Sequence, residues 1–168
     1  MKRICILLLI VCLAFGSFGC HKQPKGDTVY AHERFSAALP DGFVRCENAN
    51  MVAFAPGGDP VRNSMITFYA TDLNWYFDSY GEDEYVAALA QYAGFETYEL
   101  VSVTPCTVNG YNAQRVECSV YLDQGTHTLV LYALEADMLY LFTLLNRDTD
   151  DYVDDFDAMM STIVIHEA

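Results

Sequence analysis

The chain reads as an α+β protein, an antiparallel sheet of about seven strands with two main helices packed on it. Three observations predict this. Short apolar or alternating runs recur between tight-turn signals, as strands do. The apolar period switches to that of a helix twice, once at 82–93 and once at 150–163. About 140 residues remain beyond an N-terminal export segment, which is one domain's length of chain. A domain of that size buries roughly 68% of its unfolded surface, so it needs no disulfide or metal to be stable.

The N-terminus opens with Lys2-Arg3, continues with fifteen mostly apolar residues from Ile4 to Phe18, and closes on Gly19-Cys20. That is the charged, apolar and small-residue order of a signal peptide over residues 1–19. Fifteen helical residues span roughly 22 Å, short of the roughly 30 Å hydrocarbon core. The polar run His21 to Asp27 follows at once, so a membrane span is the poorer reading. Residues 20–29 then form a polar tether, and 30–168 a single domain.

Within the domain, Phe35 to Leu39 predicts a strand ended by Pro40-Asp41-Gly42. Met51 to Ala55 and Ser64 to Ala70 predict two more, joined through Pro56-Gly57-Gly58-Asp59-Pro60. Tyr85, Val86, Leu89, Tyr92 and Ala93 share one helical face, behind acids Glu82, Asp83 and Glu84 in the first turn, where the helix dipole favours them. Gly94 ends that helix. Val101 to Val108, Ala113 to Leu122, Thr128 to Leu134 and Met138 to Leu145 follow as strands, with turns at Asn109-Gly110, Gln124-Gly125 and Ala136-Asp137. The last two strands are apolar on both faces, which predicts central strands covered on each side. Glu135 and Asp137 interrupt them and argue against a membrane hairpin. A final helix from about Asp150 to Ile163 turns Tyr152, Val153, Phe156, Met160 and Ile163 inward.

Charge narrows the partners. The chain carries nine Lys and Arg against 23 Asp and Glu, a net charge of −14. Without residues 1–19 the balance is seven cations against 23 acids, net −16, and from Thr28 onward five Arg face 22 acids. Phosphate binding needs clustered cations, so nucleic acid is excluded as a partner. Solubility of an exported protein accounts for the acidity.

Six cysteines reduce to three in the domain, Cys46, Cys106 and Cys118, which allow at most one bridge. A two-residue hairpin at Asn109-Gly110 sets Cys106 opposite Ala113 and Cys118 opposite Val101. Five residues of offset at about 3.3 Å each is beyond disulfide reach. Cys118 keeps phase with Val116, Val120 and Leu122, which predicts a buried core thiol. None of the three lies at C-x₂-C spacing, so no metal or other cofactor is expected.

Two resemblances add to this. Ser17-Phe18-Gly19-Cys20 resembles the lipobox of bacterial lipoproteins, with Gly19 and Cys20 carrying the match. The resemblance implies cleavage before Cys20 and a diacylglyceryl group, with palmitate-type chains, on its sulfur. At about 0.8 kcal/mol per buried CH₂, two acyl chains give a stable anchor where one does not. The implied location is the extracytoplasmic face of a cell membrane. Phe35-x₃-Leu39-Pro40-x-Gly42-Phe43, Gly110-x₂-Ala113, Leu139-Tyr140-x-Phe142, Phe156 and Ser161-x-Ile163 are similar to positions of the PsbP-like fold, an α/β/α sandwich found in small bacterial lipoproteins. These are packing and turn positions. They imply a fold and, from the usual role of its members, a non-enzymatic accessory or binding protein.

Chemistry is sparse. The acidic run Asp148 to Asp157 lacks the central Gly and closing Glu of a calcium loop, and acids at a helix start explain it. There is no G-x-S-x-G, H-E-x-x-H or phosphate-cradling Gly-rich loop. His21, His32, His127 and His166 are scattered, as surface histidines are. The candidate ligand-binding segment is Trp75-Tyr76-Phe77-Asp78-Ser79-Tyr80, with Asp72 just before it, because aromatic faces beside carboxylates hold sugar rings or cations. Two functions are weighed. The first is a non-catalytic envelope lipoprotein that binds an envelope protein or glycan through a sheet edge or the 75–80 loop. The second is a small hydrolase of envelope glycan or polymer using carboxylates near the 72–80 loop.

Overall fold

The computed structural model describes residues 29–47, 52–60, 63–71, 97–122, 125–147 and 151–166. Within them, turn signals and apolar runs resolve into β1 (Val29–Ala31), β2 (Phe35–Ala38), β3 (Phe43–Arg45), β4 (Val52–Pro56), β5 (Met65–Thr71) and β6 (Tyr98–Val108). There follow β7 (Tyr111–Leu122), β8 (Gly125–Glu135), β9 (Leu139–Asn146), the helix α1 (Val153–Met160) and β10 (Val164–Ile165). Seven strands form one antiparallel sheet in the order β3-β4-β5-β9-β8-β7-β6, and three form a second in the order β1-β2-β10.

The large sheet has the expected number of strands but a different membership. The predicted strand at Phe35–Leu39 leaves it for the small sheet, where β2 pairs with β1 and β10. Its place is taken by β3, which the sequence reading passed over. The chain turns through Pro40-Asp41-Gly42, with Gly42 at φ 78°, so Phe43 returns beside β4 opposite Pro56. β1 begins at Val29, the last residue assigned to the tether.

The helices also differ from expectation. Among the described residues there is one, α1; the helix predicted at 82–93 lies outside them. α1 stops at Met160, short of the predicted Ile163. The Ser161 and Thr162 hydroxyls donate back to the carbonyls of Ala158 and Met159, at 2.6 and 2.7 Å. Thr162 Oγ1 also accepts the amide of Ala38 at 2.9 Å, which ties the helix end to β2 and releases β10 to pair. No helix among the described residues is long and apolar enough to cross a membrane.

The β6–β7 hairpin is the element best foreseen. Asn109 and Gly110 both have positive φ, 48° and 89°, the geometry of a type I′ turn. Val108 faces Tyr111 and Cys106 faces Ala113 as the two-residue loop requires. Further out the register slips. A bulge leaves Val101 unpaired, so Cys118 faces Leu100 and not Val101. The bulge and Pro105 interrupt an exposed edge strand, two devices that blunt pairing with other chains.

Sheet pleat sorts the core into two faces. On the first, Phe54, Ile66, Phe68, Phe142 and Leu144 meet Phe35 of β2 and Phe156, Met159 and Met160 of α1. On the other, Val116, Cys118, Val120, Leu129, Leu131, Leu141 and Leu145 are buried together. β8 and β9 are buried on both faces, from Leu129 to Leu134 and from Leu139 to Phe142, as their continuous apolar runs predict.

Candidate functional site

The residues singled out for function, Cys20, Asp72, Trp75, Tyr76, Asp78 and Tyr80, lie outside the described residues. The structure does place the strand that leads to the aromatic segment. β5 ends at Thr71, paired with Leu139, close to the β8–β9 turn, where a polar group has formed.

In that group the buried Tyr140 donates its hydroxyl to Asp137 Oδ1 at 2.7 Å. Asp137 Oδ2 lies 3.6 Å from Arg34 Nη1. Arg34 comes from the β1–β2 turn, so the group clamps the small sheet to the end of the large one. Beside it, His32 accepts the Arg34 amide on Nδ1 at 3.2 Å, which makes Nε2 the protonated nitrogen of the neutral ring. Its ring packs 5.5 Å from Phe35 and 5.7 Å from Phe68. His32 is therefore half-buried, not a free surface histidine.

A second group repeats the pattern under α1. Tyr132 of β8 donates its hydroxyl to Asp157 Oδ1 at 2.9 Å. Arg115 of β7 donates Nε to the same oxygen at 3.1 Å and Nη1 to Glu117 Oε2 at 2.9 Å. Burial lowers the Arg115 pKa, but the hydrogen bonds to Asp157 and Glu117 more than offset it. The acidic run divides its labour here. Asp154 and Asp155 sit in the first turn of α1, Asp151 Oδ1 accepts the Val153 amide at 3.0 Å, and Asp157 reaches down to the sheet.

A third brace forms at the other end of β9. The fully buried Ser64 donates to Asn146 Oδ1 at 3.1 Å and accepts the Arg147 amide at 2.9 Å. Asn146 Nδ2 in turn lies 3.5 Å from Asp151 Oδ1.

These arrangements hold elements together; they do not present a reactive group. Each tyrosine hydroxyl is spent on an aspartate that also faces an arginine. Burial, then the hydrogen bond to Asp137, pushes Tyr140 up to about 12, and burial followed by Asp157 pushes Tyr132 well above the ordinary phenol range. Neither phenol gives up its proton near neutrality. The thiols of Cys46, Cys106 and Cys118 are all free. Burial raises each of them, Cys118 to about 11, so thiolate character is suppressed. Among the described residues no three His, Cys, Asp or Glu side chains converge to hold a metal ion.

The raised values carry a sign. A group bound more tightly to its proton in the folded state stabilises fully below its unfolded pKa and ceases to do so as pH climbs through the folded one. For Cys118 that window runs from 9.0 to about 11, and for Tyr140 from 10.0 to about 12. Stability is expected to hold at neutral pH and fall from about pH 9 upward, at about 1.4 kcal/mol per pH unit for each group in its window. Tyrosinate absorbance recorded beside far-UV circular dichroism checks this. Ionisation of the buried phenols should coincide with unfolding, and Tyr140→Phe should flatten the fall above pH 10. Full tyrosine ionisation with the dichroism unchanged would contradict it.

With the sheet order, the α1 packing and the small sheet in view, the fold is PsbP-like. Similar solved structures include the cyanobacterial PsbP protein CyanoP from Synechocystis sp. PCC 6803, at 14% identity and a TM-score of 0.58, over 83% of this chain and 92% of that one. A protein of unknown function from Pseudomonas aeruginosa, PA94, shares 18% identity at a TM-score of 0.53, over 84% and 98%. LpqN, involved in cell envelope biogenesis of Mycobacterium tuberculosis, shares 12% at 0.53, over 83% and 90%. No family model and no curated protein sequence matches the chain. At these identities the likeness is one of fold. The positions of the sequence resemblance serve that fold: Leu39, Phe43, Ala113, Leu139, Tyr140, Phe142, Phe156 and Ile163 are buried, and Gly42 and Gly110 take positive φ in turns.

Proposed function

We propose that the chain is a lipid-anchored protein of the extracytoplasmic membrane face that acts by binding another envelope component, a protein or a glycan. The observation that carries this reading is Gly19-Cys20, closing an apolar run nine residues before β1. The place of LpqN in cell envelope biogenesis supports the setting. The commitment of Tyr132, Tyr140, Asp137 and Asp157 to structural braces supports binding over catalysis. Of the two routes to a partner, the β6 edge is interrupted by the bulge at Val101 and by Pro105, so the contact falls to the aromatic segment with Asp72, Trp75, Tyr76, Asp78 and Tyr80.

Cells fed a clickable palmitate analogue provide the test. The chain is expected to carry the label and sediment with membranes, and Cys20→Ser to lose the label and appear in the soluble extracytoplasmic fraction. A Cys20→Ser chain that stays membrane-bound, or a wild-type chain without label, would overturn the anchor. Asp72→Asn with Asp78→Asn keeps a hydrogen-bonding side chain at both positions and leaves Trp75, Tyr76 and Tyr80 in place, so binding of an envelope extract should weaken only in part. Loss of a demonstrated hydrolytic turnover in that pair would instead make the protein an enzyme.

A further inference from the structure

The three-stranded sheet has an inner face, formed by Tyr30, Phe35, Ala37 and Ile165 against the core. Its outer face carries Val29 and Ala31 of β1, Ser36 and Ala38 of β2, and Val164 of β10, in the register Val29↔Ala38 and Ala31↔Ser36↔Val164. Val29 is 69% exposed and Val164 52%, the largest and among the next largest exposures of any large apolar side chain in the described residues. Among the described residues no carboxylate belongs to the strand positions of this face, although the chain from Thr28 carries 22 acids against five Arg. Along the chain, Glu33 lies in the β1–β2 turn and Asp41 beyond Leu39-Pro40, and Asp137 is held by Arg34 of that turn at 3.6 Å.

We infer that this outer face rests on the bilayer surface, so that the domain stands on the membrane in one orientation. The inference depends on the anchor proposed above and adds a contact to it. Two arguments select the bilayer as the occupant. β1 begins only nine peptide links after Cys20, at most about 32 Å of chain, and every other described element lies further along the chain from the anchor. A contact tethered by so short a segment works at an effective concentration in the millimolar range, which lowers the affinity the patch itself must supply. Charge gives the second argument. Anionic headgroups repel acids within a Debye length of about 8–10 Å. Turning this face downward brings no described strand carboxylate to the headgroups, while the intervening segment carries Lys22 and Lys25 against one acid, Asp27.

Hydrogen–deuterium exchange on the full lipidated chain tests this, comparing vesicles of phosphatidylethanolamine and phosphatidylglycerol with the soluble Cys20→Ser form. Peptides over 29–38 and 162–166 are expected to exchange about fivefold more slowly on vesicles, while 98–108 in the β6 edge is unchanged. Val164→Glu should abolish the slowing without releasing the chain from the vesicles. A chain that floats with vesicles yet shows no slowing at 29–38 and 162–166 would overturn the orientation and leave the anchor standing. A chain that does not associate with vesicles would overturn both. Slowing that appears without vesicles and grows with protein concentration would assign the face to a second copy of the chain and overturn the bilayer contact.

Discussion

Phe35→Ala is expected to destabilise the fold by about 3–5 kcal/mol, the range for emptying a fully buried phenylalanine site. Phe35 is 1% exposed and is the side chain by which the small sheet grips the large one. Its ring lies 4.3 Å from Phe68, 5.2 Å from Phe142 in an edge-on contact and 5.9 Å from Tyr30. Removing it forfeits both the buried area and several aromatic contacts worth about 0.5–1.5 kcal/mol each. The cavity would open between the two sheets, where Phe35 of β2 packs against Phe68 and Phe142, so the surroundings can fill it by shifting β2. Against a total stability of about 5–15 kcal/mol, the loss should lower the melting temperature by about 10 °C or more. Phe35→Leu, which keeps most of the volume, should cost about 1–2 kcal/mol. Thermal melts of the soluble Cys20→Ser background followed by near-UV circular dichroism compare the two. An Ala variant within about 1 kcal/mol of the parent would mean that the small sheet is only loosely docked.

Phe35 also marks where the sequence misleads. Its alternation with Ala37 and Leu39 identifies a half-buried strand, but alternation states which face is covered and not which neighbour supplies the hydrogen bonds. β2 and β3 are separated by one Pro-Asp-Gly turn, and only the long-range pairing of β10 with β2 and of β4 with β3 assigns them to different sheets. Local pattern succeeds where local chemistry decides. Asn109-Gly110 can hardly avoid a type I′ turn, and the register through Cys106 follows from it. That register fails at Val101, because the bulge inserts one extra residue that no local motif announces. The end of α1 is missed for a similar reason. Its last turn is helical in period, but Thr162 bonds to Ala38, 124 residues away. The polar braces are legible only when local. Asp137 and Tyr140 are three residues apart across a tight turn and could have been paired from sequence. Tyr132, Asp157 and Arg115 span 42 residues and meet only through the pleat of β7 and β8.

That second brace gives the other large effect. Asp157→Ala is expected to cost about 2–4 kcal/mol. It leaves the Tyr132 hydroxyl, on a residue only 8% exposed, without its acceptor, a loss of about 1–3 kcal/mol. It also strips one carboxylate from an Arg115 side chain that is 18% exposed. A fully buried pair broken on one side would cost about 3–5 kcal/mol for that term alone. Here Asp157 is 29% exposed and Glu117 still holds Nη1 at 2.9 Å, so the charge is not abandoned and the lower range applies. Asp157→Asn keeps an oxygen in place for both donors and removes only the charge, which should halve the loss. The decisive variant replaces the brace as a whole: Asp157→Leu with Arg115→Met and Tyr132→Phe. If the destabilisation comes from orphaned partners and not from the pair's own net attraction, this triple variant should return to within about 1 kcal/mol of the parent. Urea unfolding of the four proteins at neutral pH measures each term. A triple variant as unstable as Asp157→Ala would show that the salt bridge itself, and not the cost of leaving its members unpaired, fixes α1 to the sheet.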